Sequence, residues 1–202
     1  MDLPVIVIDT ETTGLPEHPD AVAIEIALVL LMPDGSKPFA LSSLLRPEDP
    51  NEIVWTHTHV RETMTIHGIT PAHVALAPVA KRVDDLLDYT RRYAVGCYGQ
   101  QWPCEDLAWT SWRTEFEAEM FRRSLPKVAG WQTAPCIWEL ARESFRPEDL
   151  AKPHYPSIKT TAHALGLQAD RNTHRALPDA LLAADVLYAL IHRDSTQPLE
   201  VS

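Results

Sequence analysis

An unbroken apolar run, Val5-Ile6-Val7-Ile8, passes directly into Asp9-Thr10-Glu11-Thr12-Thr13-Gly14-Leu15. A short β-branched run of this kind reads as a buried strand. Side chains alternate across a strand, so Asp9 and Glu11 project to one face while Thr10 points to the other. Two anions held together at a rigid strand end call for a cation. Hard divalent ions such as Mg²⁺ or Mn²⁺ supply one through oxygen ligands. An isolated pair of this spacing also reads as solvated acids at a strand-to-turn junction, so the rest of the chain has to decide.

A second patterned segment lies near the C-terminus, His174-Arg175-Ala176-Leu177-Pro178-Asp179-Ala180-Leu181-Leu182-Ala183-Ala184-Asp185-Val186-Leu187. Pro178 suits the first helical position, and Ala180, Leu181, Ala184, Leu187 and Tyr188 follow at helical spacing. His174 then stands just before the helix and Asp179 in its first turn. The helix dipole alone favours an acid there, and a loop histidine alone reads as a surface group.

Taken together, the two segments resemble the DnaQ-like exonucleases of the DEDDh type, within the ribonuclease-H-like superfamily. The first motif matches Asp9 to Leu15 without a gap. The last matches His174 and Asp179 at the family spacing, and Arg46-Pro47 with Ile66-His67-Gly68-Ile69-Thr70 looks like the family's post-hairpin segment. The resemblance covers about residues 4 to 192. It implies an α/β fold, a central mixed sheet of about five strands flanked by helices, and a 3′-to-5′ exonuclease using two Mg²⁺ or Mn²⁺ ions. Asp9, Glu11 and Asp179 would be metal ligands and His174 the general base, since an imidazole with an ordinary pKa near 6.5 suits proton removal from water at neutral pH. By the same resemblance, the backbone around Thr12 and Thr13 would meet the terminal 3′ hydroxyl, and Leu15 would wedge against the last bases. The product would be a nucleoside 5′-monophosphate.

The middle motif departs from the family pattern. A His-Asn pair and a following Phe-Asp are expected, whereas the corresponding stretch reads Val95-Gly96-Cys97-Tyr98-Gly99-Gln100-Gln101-Trp102-Pro103-Cys104-Glu105-Asp106-Leu107-Ala108-Trp109. Asp106 is taken as the third acid because it falls between an apolar strand and a helix. Glu105 is its rival, and both also read as plain helix-start acids.

The 202 residues, 45% hydrophobic and 23% charged, suit one exonuclease domain (1–202, with a short C-terminal tail) and a sizeable core. A net charge of −10 is unusual for a nucleic-acid binder and suggests a shallow grip near one strand end. Arg61, Arg91, Arg92, Arg122, Arg123, Lys159, Arg171 and Arg175 are candidates for local basic patches. Three cysteines, Cys97, Cys104 and Cys136, form neither a disulfide framework nor a CxxC site. The histidines His57, His59, His67 and His73 invite a zinc hypothesis, which is set aside because no thiol or carboxylate sits at ligand spacing. No basic leader precedes the first strand, and the longest apolar run, Ala21 to Met32, is broken by Glu25. A cytoplasmic protein without membrane contact is expected.

Strands are expected at about 4–10, 22–32 and 38–45, the latter two joined by Pro33-Asp34-Gly35-Ser36, with further strands at about 93–98 and 129–134. Helices are expected at about 78–89, 106–123, 136–144, 157–166 and 178–192, with a Pro-rich loop from Arg146 to Pro156. Trp109 and Trp112 read as core residues, whereas Trp55 and Trp102, in loops, could stack on unpaired bases. The substrate is expected to be single-stranded DNA with a free 3′ end. An RNA-trimming enzyme, a proofreading module with a polymerase or repair partner, and a non-catalytic binding module are the alternatives. Homodimerisation is compatible with the resemblance.

Overall fold

In the computed structural model, residues 3–49, 51–98, 107–145, 157–169 and 174–193 are described. The apolar run forms β1 (Val5–Thr12), which sits inside a four-stranded sheet of order β3-β2-β1-β4. β2 (Ala23–Leu31) is buried along its whole length and pairs antiparallel with β1, with Asp9 opposite Ala27 and Glu11 opposite Glu25. β3 (Phe39–Leu44) is the outer antiparallel strand, entered through the Asp34-Gly35 turn, where Gly35 takes φ 83°. β4 (Trp109–Thr110) is the parallel partner of β1 and reaches only Ile6 and Val7.

Eight helices cover the sheet among the described residues: α1 (Thr58–His67), α2 (Pro71–Leu76), α3 (Ala80–Tyr98), α4 (Thr114–Ser124), α5 (Pro126–Ala129), α6 (Ile137–Ser144), α7 (Ile158–Ala164) and α8 (Ala176–His192). The parity of β1 sorts its side chains between two cores. Ile6 and Ile8 meet Val83, Leu87, Phe121 and Leu125 of α3, α4 and the turn after α4. Val5 and Val7 instead meet Ile137, Ala162 and the α8 residues Ala180, Ala183, Ala184 and Leu187. The small alanines let α8 lie close against β1 and β2. Asp9 and Glu11 share the parity of Val5 and Val7, so the fold delivers them to the α8 side and leaves Thr10 on the α4 side.

Three expectations are corrected. The segment expected as a strand at 93–98 continues α3, because Tyr93-Ala94-Val95 follows a helical stretch without a glycine or proline to stop it. No helix starts at Leu107: Leu107 and Ala108 are extended coil leading into β4, and α4 begins only at Thr114. The strand expected near 129–134 contributes a single bridge, Thr133 with Trp109, after the short helix α5. The sheet accordingly has four strands where about five were expected. α1 and α2 were not anticipated; α1 closes on Gly68 at φ 70°, and α2 opens with a capping box on Thr70 and a proline in its first turn. The expected helices at 136–144, 157–166 and 178–192 and the first three strands are observed.

Candidate active site

β1 carries Asp9 and Glu11 to its C-terminal end, and the first turn of α8 brings Asp179 against them. One oxygen from each of the three lies within 4.8 Å of the others. His174, at the exposed edge of the loop before α8, has Nδ1 3.9 Å from Asp179 Oδ2. The cluster is short of compensating charge. Burial, followed by the charges of Asp179 and Glu25, pushes Glu11 up to about 8, with Arg175 and Lys159 opposing. Burial and then the neighbouring Glu117, Glu11 and Asp179 raise Asp9 well above the usual carboxylate range. Burial also raises Asp179, offset by Lys159 and His174. Carboxyls that cannot comfortably ionise together mark a place where a cation lowers the energy of all of them.

The segment carrying His174 is anchored by a side chain the sequence reading did not single out. Glu25, buried on β2 directly across from Glu11, accepts two hydrogen bonds from Arg175, Nε at 2.9 Å and Nη2 at 2.6 Å, and a third from the Ala176 amide at 3.1 Å. This fork ties the start of α8 to the sheet and satisfies one of the helix's free N–H groups. Arg175 is therefore committed within the fold. Arg123 is as well: it donates to the carbonyls of Pro16 at 2.8 Å, His18 at 2.8 Å and Ala21 at 3.3 Å, and pairs with Glu119. Arg92 pairs with Asp88 and Arg122 with Glu119. Of the candidate basic residues, Lys159 and Arg175 act on the acid cluster. Arg171 lies outside the described residues.

Glu105 and Asp106 also lie outside the described residues, and the strand-then-helix setting that singled out Asp106 is absent from the flanking chain. The strand beside β1 is instead Trp109–Thr110, and of the two acids in the first turn of the following helix, Glu115 and Glu117, the buried one is Glu117, preceded by Phe116. Because β4 covers β1 only as far as Val7, the strand edge beyond it is open to the first turn of α4. Glu117 fills that opening. It is buried, accepts a 2.5 Å hydrogen bond from the Thr10 hydroxyl, and is the largest single charge acting on Asp9. Burial pushes Glu117 up to about 8 even though Thr10 favours its ionised form. A Phe-Glu dipeptide opening a helix was the available sequence signal. A preceding strand of only two residues leaves no periodicity to mark it.

Thr12 and Thr13 are both buried and their hydroxyls are engaged, Thr12 donating to the Gly14 carbonyl at 2.7 Å and Thr13 accepting from the Val22 amide at 3.0 Å. The Thr13 amide is engaged as well, donating to the Val22 carbonyl at 3.0 Å. Leu15 is 52% exposed, a large apolar side chain presented to solvent just after β1. Trp109 is core, edge-on to Phe121, Trp112 packs under α6 and α8, and Trp55 packs on Val22 and Ile24. Trp102 lies outside the described residues.

A strand bearing an Asp-x-Glu pair, with a loop His and a first-turn Asp of the following helix against it, defines a nuclease-type acid centre on an α/β sheet. The exonuclease family model named RNase T matches residues 6–187. The chain belongs to that family, the DnaQ-like 3′-to-5′ exonucleases of ribonuclease-H-like fold. Among solved structures, the nuclease domain of 3′hExo bound to rAMP is similar with a TM-score of 0.65 at 16% identity, over 93% of this chain and 91% of that one. A 3′-exonuclease recognising the histone mRNA stem-loop is similar with a TM-score of 0.64 at 16% identity, over 93% of this chain and 81% of that one. Exonuclease I of E. coli with a dT13 oligonucleotide gives 0.65 at 16% identity over 95% of this chain, which spans only 41% of that protein. At such identities the likeness is one of fold. No curated protein matches the sequence. No helix among the described residues is long and apolar enough to cross a membrane.

Proposed function

We propose that the chain removes nucleoside 5′-monophosphates from the 3′ end of single-stranded DNA, with Mg²⁺ or Mn²⁺ held by Asp9, Glu11, Asp179 and Glu117. The observation that carries this reading is the convergence of Asp9, Glu11 and Asp179 within 4.8 Å. The donor set fits the ions: it offers only carboxylate oxygens, and its members are held above their ordinary pKa by burial and mutual repulsion. When bound, such ions supply Lewis-acid stabilisation of the charge developing on the phosphate during hydrolysis.

The remaining roles belong to the chain. Glu117 takes the place of the third acid, above Asp106, because it acts directly on Asp9 and is fixed by Thr10. His174 is the general base; its exposed position at the edge of the cluster, 3.9 Å from Asp179, lets it approach an attacking water. Glu25 and Arg175 hold that loop in place. Lys159, whose charge acts on Glu11 and Asp179, is the cation this reading assigns to the scissile phosphate. Leu15 stacks against the terminal base. An exoribonuclease is the second reading, favoured by the likeness to 3′hExo, whose structure holds rAMP.

Digestion of 5′-labelled DNA and RNA strands of matched sequence, with Mg²⁺, Mn²⁺ or EDTA, tests the proposal. A metal-dependent ladder shortening from the 3′ end, faster on DNA, supports it. A ladder on RNA alone moves the second reading to the front, and no cleavage of either strand rejects both.

A further inference from the structure

The loop that follows β1, residues 13–22, carries Asp20, whose carboxylate faces two histidines at the start of α1. His57 Nδ1 lies 2.8 Å from one carboxylate oxygen, and His59 Nε2 lies 3.4 Å from the other. His57 occupies the N-cap position but makes no side-chain cap; its ring is turned to Asp20 instead. A hydrogen bond to Asp20 accounts for His57 alone. His59 Nε2 is sheltered from solvent and makes no hydrogen bond, although an anionic oxygen stands before it. A sheltered imidazole nitrogen and a carboxylate oxygen that stand 3.4 Å apart without a hydrogen bond leave that nitrogen to be satisfied by a positive charge beside both.

The surroundings hold these groups in place. His18 stacks on His59 with ring centres 4.1 Å apart and planes 6° from parallel. Gly14 lies so close that a Cβ there would stand 2.8 Å from His59 Cδ2. Arg123 grips the loop through the carbonyls of Pro16, His18 and Ala21. Two nitrogens and an oxygen on a tetrahedral ion, with bonds of about 2.0–2.1 Å, stand about 3.3 Å apart. The two nitrogen–oxygen separations, 2.8 and 3.4 Å, run to different oxygens of the Asp20 carboxylate, and one ligand atom from each of the three residues lies within 4.8 Å of the others, so a small rotation of the carboxylate suffices to bring one oxygen to that edge length from both nitrogens.

We propose that Asp20, His57 and His59 form a site for a divalent ion of the Zn²⁺ class, with a water as fourth ligand, which ties the loop after the catalytic strand to α1. Imidazole nitrogens select borderline ions over Mg²⁺ and Mn²⁺, so this site and the all-carboxylate cluster take different metals. The zinc reading set aside from sequence lacked a carboxylate; Asp20 supplies it from a distance of 37 residues. The site shares no residue with the acid cluster and does not depend on the exonuclease reading.

The test uses the full ¹⁵N-labelled chain, stripped with EDTA and exchanged into metal-free buffer at neutral pH. Zn²⁺ is added while the imidazole ring nitrogens are followed by long-range ¹H–¹⁵N correlation spectra. His57 and His59 should move together to an endpoint of one equivalent, with His174 reporting separately on any zinc taken by the acid cluster. Asp20→Ala and His57→Ala should each weaken binding at the remaining ligands by about tenfold or more, since even partners behind a metal ligand are worth 10–100-fold, while the His174 response is unchanged. Static His57 and His59 signals beside a moving His174 would overturn the site. So would undiminished affinity in both variants. The two variants alter different elements, so misfolding of one leaves the other to decide.

Discussion

Removing metal should make the stability of this protein fall as pH rises from neutral, the reverse of the usual behaviour of acid-rich proteins. Glu11 and Glu117 each rise from 4.5 to about 8 on folding. Below pH 4.5 both states hold these protons and nothing is lost. Between 4.5 and 8 the unfolded chain has released them while the folded chain retains them, so stability declines with rising pH, and the loss is complete above 8. Asp9 and Asp179, also raised, add in the same direction. His67, lowered by burial, acts oppositely, but only below its ordinary 6.5. The interval from about pH 6.5 to 8 therefore isolates the carboxyls. At about 1.4 kcal/mol per pH unit per proton, with half of each proton gone at the upper end, two carboxyls lose about 3 kcal/mol across it. For a domain of this size that is a fall in melting temperature of roughly 6–12 °C. The assay is thermal unfolding followed by circular dichroism in EDTA at the two pH values, repeated with excess Mg²⁺. Mg²⁺ should raise the melting temperature more at pH 8 than at pH 6.5, where protons compete for the same oxygens. A melting temperature in EDTA that stays level or rises across the interval would refute the reasoning.

Glu117→Gln should reduce the pH-dependent loss in EDTA by about half, because one of the two carboxyls is gone. In the exonuclease assay the same substitution should lower kcat by 100-fold or more, on the scale of losing an electrostatic group at the reacting centre, while Asp106→Asn leaves turnover within a few-fold; the opposite ranking would return the third-acid role to Asp106. His174→Ala should lower kcat by about 10²–10⁴-fold with the Mg²⁺-induced thermal shift retained, and near-normal turnover would remove the general-base role. Glu25→Ala breaks the fork on Arg175 and strips the Ala176 amide of its acceptor. With Arg175 nearly half exposed and able to rehydrate, and one anion fewer beside Glu11, the net cost should be about 2 kcal/mol, read as a lower melting temperature together with a reduced kcat. An unchanged kcat would separate Glu25 from His174.

The elements legible in the sequence are those whose signal is local. Val5 to Ile8 form a strand by composition, and the period of two puts Asp9 and Glu11 on one face whatever lies around them. Pro178 and the spaced alanines and leucines form a helix with Asp179 in its first turn, and the Asp34-Gly35 turn sets the β2–β3 pairing. The convergence of Asp9, Glu11 and Asp179, and the placing of His174 beside them, follow from these segments and the family they resemble. The placement of Glu117, the acid proposed for the third position, did not follow, because it depends on β4. That strand has two residues, held by pairing with β1 and by one bridge to Thr133, and no periodicity can register so short a run. Meanwhile the apolar stretch at the end of α3 carries strand-like composition but stays helical because nothing interrupts the turn before it. Asp20 beside His57 and His59, and Glu25 beneath Arg175, are likewise pairings across 37 and 150 residues. Local pattern determines what each segment becomes; which distant side chains face each other is decided only when strands pair and helices pack, and here that decision completes both sites.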